Sequence, residues 1–560
     1  MPFFDACKEK ILSEEYRDFI VANTSGQRFA GVPREKKCQL ETDFFYRITY
    51  VDRSEADPIG LENYAYNEIP KCYTLLGTES LQQAGILQAQ NYPGLELLGE
   101  GIMIGFVDTG IDYTNAIFKN LDGSTRIVGI WDQTIQEGMP PDGFFYGSEY
   151  SREMIDEGKV PSTDTEGHGT FVASVCAGGA DENTGFLGAA PEAFIGVVKL
   201  KEAKQYLREY YFIQEDAKCY QETDVMLGIK YLHRLAEKLN LPLVLCVALG
   251  TNQGSHDGTA PLDGLLELYA NLPNRAVVIG GGNEAGERHH FQGESDSENG
   301  VTEVEIRVGD NVEGFCMELW TDLPNIMGVS ILSPTGERIP QVPIRRNVTE
   351  TYQFLLEGTT IYLDYVLLAG NSSSELIFVR VEKPAAGIWR FDVAPVLFSD
   401  GVFHMWLPVK EFLGGEVYFL EANPDNTLTE PSNIISGITV AAYNGNDNSI
   451  AISSGRGYTR EGRIKPDLAA PGVYVTGVAP GSRQVTRSGS SAATSIAAGA
   501  AALMMELILY RAKQQSIDAI QIRNLLILGT RKRPGEAYPN REWGYGELDL
   551  FRTFEVIRSI

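Results

Sequence analysis

The sequence predicts an α/β protein: a doubly wound parallel sheet, interrupted by an inserted all-β, jelly-roll-like domain and preceded by an α+β unit. Three observations carry this. Uniformly apolar, strand-like runs alternate with helical patterns on both sides of a central block, as in a parallel sheet covered on both faces. The block itself, residues 300–421, consists of short runs with partial alternation, broken by Gly, Pro and Asn. The first 80 residues mix a charged, helix-like opening with β-rich sequence.

In chain order, residues 1–80 contain "DFFYRITYV" (43–51) and end in "LENYAYNEIPKCYTLLGTES", enough for a small α+β unit. Residues 81–299 hold four apolar strands: "GIMIGFVDTGID" (101–112), "FIGVVKL" (194–200), "LPLVLCVALG" (241–250) and "AVVIGGGNEAG" (276–286). Helical patterns such as "DVMLGIKYLHRLAEKLN" (224–240) separate them. Runs such as "VTEVEIRV", "GFCMELWTD" and "GIWRFDVAP" within 300–421 give the sandwich pattern. Residues 422–560 resume the α/β pattern with "SGITVAAYN" and "IKPDLAAPG", so the β block is an insertion. No internal repeat is visible.

A chain of 560 residues predicts more than one core, and its net charge of −28 excludes nucleic acid and anionic lipid as partners. Seven scattered cysteines without a C-x-x-C pair predict a reducing compartment and no structural zinc. The amino terminus has no apolar segment behind a basic start, so no secretory signal is expected and an intracellular location is. The Ala- and Gly-rich run 492–505 is short for a membrane span and predicts a core helix, hence no membrane insertion. His289 and His290 lack a third ligand at suitable spacing and are assigned to loop structure, so no metal ligand is named and no cofactor is expected. No acidic loop matches a calcium motif well enough to name ligands, and calcium binding stays open.

Four residues stand at the ends of predicted elements: Asp108 in "GFVDTGID", His168 in "TEGHGTFVAS", Asn283 in "IGGGNEAG" and Ser491 in "RSGSSAATSIAAG". Each has an ordinary reading on its own. Asp before Gly makes a turn, His beside Gly caps or faces solvent, Asn tolerates a left-handed turn, and Ser caps a helix. Together, in the order Asp, His, Asn, Ser within one α/β domain, they supply an orienting acid, a base, an oxyanion donor and a nucleophile.

These stretches, with "FLGAAPEAFIGVVKL", "VLCVALG", "PDLAAPG", "SGSSAATSIAAGAAAL" and "WGYGELD", resemble the subtilisin-like serine proteases. The resemblance implies an Asp108–His168–Ser491 triad with Asn283 in the oxyanion hole. It selects Ser491 among Ser488, Ser490, Ser491 and Ser495, because the nucleophile follows a Gly-Thr pair whose place Gly489-Ser490 takes. Ser495 stands where the family has proline. The resemblance also implies that Ala248, Leu249 and Gly250 form an edge to which an extended substrate adds as a strand. Gly280 and Gly281 are then expected to border a roomy pocket for the residue before the cut.

The inserted β domain and a propeptide-like start are similar to one branch in particular, the clostridial germination proteases of the Csp type. That likeness implies a self-processed propeptide, cut between about Cys72 and Gln90, and a protein substrate. In the branch this substrate is the zymogen of a spore cortex-lytic hydrolase, which also implies packaging in the spore. The alternative is a non-catalytic or propeptide-plugged pseudoprotease acting as a scaffold or in germinant signalling. An esterase is disfavoured by the absence of a G-x-S-x-G elbow.

Overall fold

A computed structural model describes residues 2–23, 29–42, 45–75, 82–92, 96–181, 185–297, 300–345 and 348–559. At its centre is a nine-stranded sheet whose main path runs 449–450, 438–444, 275–280, 243–247, 103–108, 194–199, 127–132, 148–151. Leu468–Pro471 adds beside 438–444. Neighbours among 438–444, 275–280, 243–247, 103–108, 194–199 and 127–132 pair in parallel. All six residues of Met103–Asp108 and all five of Leu243–Val247 are buried, which is why these strands read as unbroken apolar runs.

Helices cover both faces. On one lies Ser490–Glu506, every residue of it buried, packed against strands 438–444, 275–280 and 243–247 and against helix His168–Ala177. Its Ala and Gly content permits this close approach; a Cβ on Gly499 would stand 2.3 Å from that of Ala189. Among the described residues, Ser490–Arg511 alone is long and apolar enough to cross a membrane, and 89% of its apolar window is buried inside the protein. That is the core helix the sequence predicts. Helices Glu222–Leu239 and Pro261–Ala270 cover the other face.

The β block is two antiparallel sheets packed over a shared core. One has the order 290–294, 402–406, 314–322, 374–382, 359–367, 349–354; the other 338–339, 326–332, 387–397, 302–308, 417–419. Its first strand, His290–Glu294, begins right after the loop that carries Asn283. The sandwich is clamped to the α/β body by buried polar groups. The Glu318 carboxylate accepts from Tyr66 Oη at 2.7 Å, Gly254 N at 3.0 Å and Trp320 Nε1 at 3.0 Å. Arg460, from the α/β body, donates to Ser255 O at 2.7 Å, Ser374 Oγ at 2.7 Å and Asp257 at 3.2 Å, and also pairs with Asp322. His256, His290 and His404 stack around the Trp406 indole at centroid distances of 4.0, 4.8 and 5.3 Å.

The N-terminal unit is helix Pro2–Leu12 on a three-stranded antiparallel sheet in the order 16–22, 46–52, 37–41. It corrects the expectation of unpaired thiols, because Cys7 on the helix and Cys38 on the strand form a disulfide with Cα atoms 5.5 Å apart. Cys72, Cys176, Cys219, Cys246 and Cys316 are free and buried. The pairing is invisible in the sequence because it joins two elements 31 residues apart whose contact depends on how the helix crosses the sheet.

Candidate active site

Asp108 ends its strand, and parallel strands deliver their C-terminal residues to one edge of the sheet. His168 opens helix His168–Ala177, and Ser491 lies in the first turn of Ser490–Glu506. The two helix starts meet above Asp108. His168 Nδ1 lies 2.8 and 2.9 Å from the Asp108 carboxylate oxygens, and Nε2 lies 3.1 Å from Ser491 Oγ. All three are buried, with 1%, 5% and 0% exposure for Asp108, His168 and Ser491. A neutral imidazole that donates from Nδ1 to the carboxylate must accept at Nε2, which is the tautomer a base for the serine hydroxyl needs.

Close backbone approach sets this geometry. A Cβ on Gly169 would fall 2.1 Å from Gly110 O and 3.2 Å from Asp108 Cβ, so glycine after His168 lets the helix start touch the Asp108 loop. Gly489, just before the serine's helix, has φ 144°, a region that only glycine occupies without strain.

Asp164 is a site residue that reasoning from sequence alone missed. It is 4% exposed, and its carboxylate accepts from Thr109 Oγ1 (2.8 Å), Gly167 N (2.8 Å), Thr170 N (2.8 Å) and Thr170 Oγ1 (2.7 Å). Gly169 N donates to Thr109 Oγ1 at 2.8 Å, which closes the lattice. One carboxylate thus ties the Asp108 turn to the first turn of the His168 helix. No local pattern marks it, because the capping position immediately before the helix is held by Gly167, and Asp164 stands four residues ahead of His168.

The Asn283 side chain is anchored by its carbonyl oxygen, which accepts from Ser490 N at 2.9 Å and leaves its NH2 as the donor end. The carbonyl of Ser491 accepts from Ser495 Oγ at 2.7 Å, so the serine found in place of the family's proline bonds back to the preceding turn.

Ala248 joins the central strand to Leu249–Gly250, which forms a short edge. That edge is already paired. The chain's own strand Cys72–Leu75 lies antiparallel to it, with Leu75 opposite Leu249 and Thr74 opposite Gly250. On its other side Cys72 and Tyr73 pair with Gln221 and Tyr220. Within the span in which a cut was expected, residues 76–81 lie outside the described residues. Gly280 ends its strand, and Gly281 N donates to Val440 O at 2.9 Å. Leu428 Cδ2 stands 3.0 Å from where a Cβ on Gly281 would be, and Thr429 Oγ1 2.4 Å from one on Gly250. His289 Nδ1 is 2.6 Å from Glu284, and His290 Nε2 is 3.0 Å from His404 Nδ1. Among the described residues no three His, Cys, Asp or Glu side chains gather as a metal site.

Known proteins share this architecture. The sequence model of the subtilase family matches residues 99–316 and 396–546, the two stretches flanking most of the β sandwich. The mouse membrane-bound transcription factor site-1 protease is 33% identical over 141 residues, covering 24% of this chain and only 13% of that protein. Subtilisin-like protease SBT2.1 of Arabidopsis thaliana is 36% identical over 131 residues, 19% of this chain and 16% of its own length. The solved structure of the Clostridium perfringens CspB protease superposes with a TM-score of 0.75 at 29% identity, over 85% of this chain and 97% of that one. On these matches and on its fold, the chain belongs to the subtilase family, the subtilisin-like serine endopeptidases.

Proposed function

We propose that this chain is a serine endopeptidase using Asp108, His168 and Ser491. The observation that carries the reading is the unbroken contact from the Asp108 carboxylate through both His168 nitrogens to Ser491 Oγ. His168 Nε2 takes the hydroxyl proton as Ser491 attacks a peptide carbonyl, then returns it to the departing amine. Asp108 holds the tautomer and stabilises the imidazolium. The Asn283 amide and the Ser491 backbone N–H, at a helix N-terminus, receive the oxyanion. Asp164 holds the two loops in register without touching substrate.

The first substrate in this reading is the chain's own N-terminal segment. Cys72–Leu75 adds to the Leu249–Gly250 edge as an extended substrate would, so the cut falls shortly past Leu75 and before Gln82. Left in place after cleavage, the same strand keeps the cleft filled. This favours a second reading, in which the protein is chemically competent but held quiet until the strand departs. The downstream substrate in this proposal is a protein zymogen, by likeness to the Csp branch a spore cortex-lytic hydrolase met inside the spore.

Intact mass spectrometry of the protein beside its Ser491→Ala variant tests the proposal. Two co-purifying fragments from the wild type and one full-length chain from the variant are expected. Fragmentation that persists in Ser491→Ala refutes the assignment of the nucleophile.

A further inference from the structure

We propose that Lys199 is a positioning residue for the base, holding the Asp108 turn and the loop that carries Asp164 at a fixed separation; this rests on the endopeptidase reading above. It is the only charged residue in "FIGVVKL" (194–200) and ends the central strand Phe194–Lys199. That strand lies between two parallel neighbours, with Lys199 opposite Asp108 on one side and opposite Asp132 on the other.

The side chain touches both pieces. Its stem backs the Asp108 turn: a Cβ on Gly110 would lie 3.1 Å from Lys199 Cδ, 3.4 Å from Lys199 Cγ and 3.4 Å from Thr163 O. Gly110 is also the residue whose carbonyl faces Gly169 at the start of the His168 helix. The ammonium donates to Thr163 O at 2.6 Å, the carbonyl immediately before Asp164. The neighbouring strand holds the same loop a second time. Asp132 is fully buried, 3.7 Å from Lys199 Nζ, and its carboxylate accepts from Ser162 Oγ at 2.6 Å. Its other oxygen accepts from Thr134 N at 2.8 Å and Thr134 Oγ1 at 2.5 Å. Ser162, Thr163 and Asp164 are therefore fixed in succession, by a carboxylate, an ammonium and the lattice of Thr109, Gly167 and Thr170.

The pair places the loop more than it stabilises the fold. The Lys199 side chain is 15% exposed and that of Asp132 0%, and desolvation offsets most of the attraction of so buried a pair. Hydrogen bonds from a charged donor are short and directional, so the gain is a defined position for Thr163. Asp164 reaches both Thr109 and the first turn of the His168 helix only while its loop stays there. Without the Lys199 ammonium that loop loosens, and His168 loses part of its alignment with Asp108 and Ser491.

Self-cleavage of the full-length protein, timed by intact mass, tests this in Lys199→Met, Asp164→Ala and the double variant, with thermal unfolding as the check on folding. Lys199→Met is expected to slow cleavage roughly tenfold, as for loss of a hydrogen bond to a charged group. In the Asp164→Ala background the same substitution is expected to cost less than about twofold, because the loop it positions no longer holds the base; independent contributions would multiply instead. Lys199→Arg, which keeps a cation on a long stem, is expected to recover most of the rate. Ser162→Ala frees the loop and leaves both charges in place, so it is expected to slow cleavage and to add little to Asp164→Ala; if Lys199→Met does not fold, this pair carries the test. Lys199→Met cutting at the wild-type rate, or losses that multiply in the double variants, overturn the role of Lys199 and leave the endopeptidase reading standing. A wild-type chain that never cuts overturns both.

Discussion

Replacing Gly169 by alanine should separate stability from catalysis. The added Cβ would lie 2.1 Å from Gly110 O and 3.1 Å from Gly110 N, both backbone atoms, whereas real Cβ contacts stay beyond 3.0 Å. The start of the His168 helix and the Asp108 loop must therefore separate by roughly 1 Å, and neither partner is the free end of a flexible side chain. That displacement falls on the hydrogen bonds of 2.8 and 2.9 Å between His168 and Asp108, and on the 3.1 Å approach of Nε2 to Ser491. A misplacement of about 1 Å costs on the order of 100-fold in rate. That rate loss is about 2.7 kcal/mol of barrier, and the stability change is of similar or smaller size: overpacking costs about 1–3 kcal/mol, and alanine in place of glycine in a helix returns up to about 1. Self-cleavage by intact mass and labelling of Ser491 by a fluorophosphonate report the first effect, and thermal unfolding the second. Cleavage at the wild-type rate in Gly169→Ala would refute the argument that this contact sets the geometry of His168.

Further outcomes follow from the same structure. The denatured, unreduced protein should titrate five thiols and the reduced protein seven; seven without reductant would remove the Cys7–Cys38 bond. Arg460→Ala strands the buried Asp257 carboxylate and should cost about 3–5 kcal/mol, read as a lower urea midpoint. In the wild type, burial works to raise the Asp257 pKa, but Arg460 with the hydroxyls of Ser255, Thr259 and Ser372 holds it below the usual value. Its contribution is thus present at neutral pH and lost as acid takes the pH down through that lowered value. Burial drives His256 down to about 4 and His290 to about 3, only partly opposed by carbonyl oxygens. The unfolded chain then binds protons that the fold does not, so stability should fall as pH drops from about 6.5 toward 4, with a shallower slope in His256→Gln. Glu375 behaves oppositely. Burial raises it to about 8, against a backbone hydrogen bond from Met327, so its neutral form is the folded one. Stability lost between about pH 4.5 and 8 should be regained in Glu375→Gln, and identical pH curves for the two proteins would refute this.

Much of the site was legible because its chemistry is tied to local pattern. Asp108 closes an apolar run that only a buried parallel strand explains. His168 stands between glycines at a helix start, Ser491 follows Gly489 by two positions at another, and Asn283 follows a strand in a glycine turn. Asp164 was not legible: Gly167 holds the capping position ahead of His168, and the four hydrogen bonds of Asp164 reach two loops whose proximity no local pattern gives. What packs beside Gly281 and Gly282 was not legible for the same kind of reason, because Leu428 and Thr429 belong to a segment distant in the chain.

The sequence by itself determined the order and type of elements, the insertion of an all-β block, and the residues that could serve as acid, base, donor and nucleophile. These depend on periodicity and on residue chemistry within a few positions of one another. Only the tertiary structure decided that Cys7 meets Cys38, that three histidines stack on Trp406, and that Cys72–Leu75 lies on the Leu249–Gly250 edge. These contacts join elements far apart in the chain, and they form only once burial of separate apolar faces has fixed how the sheets and helices pack.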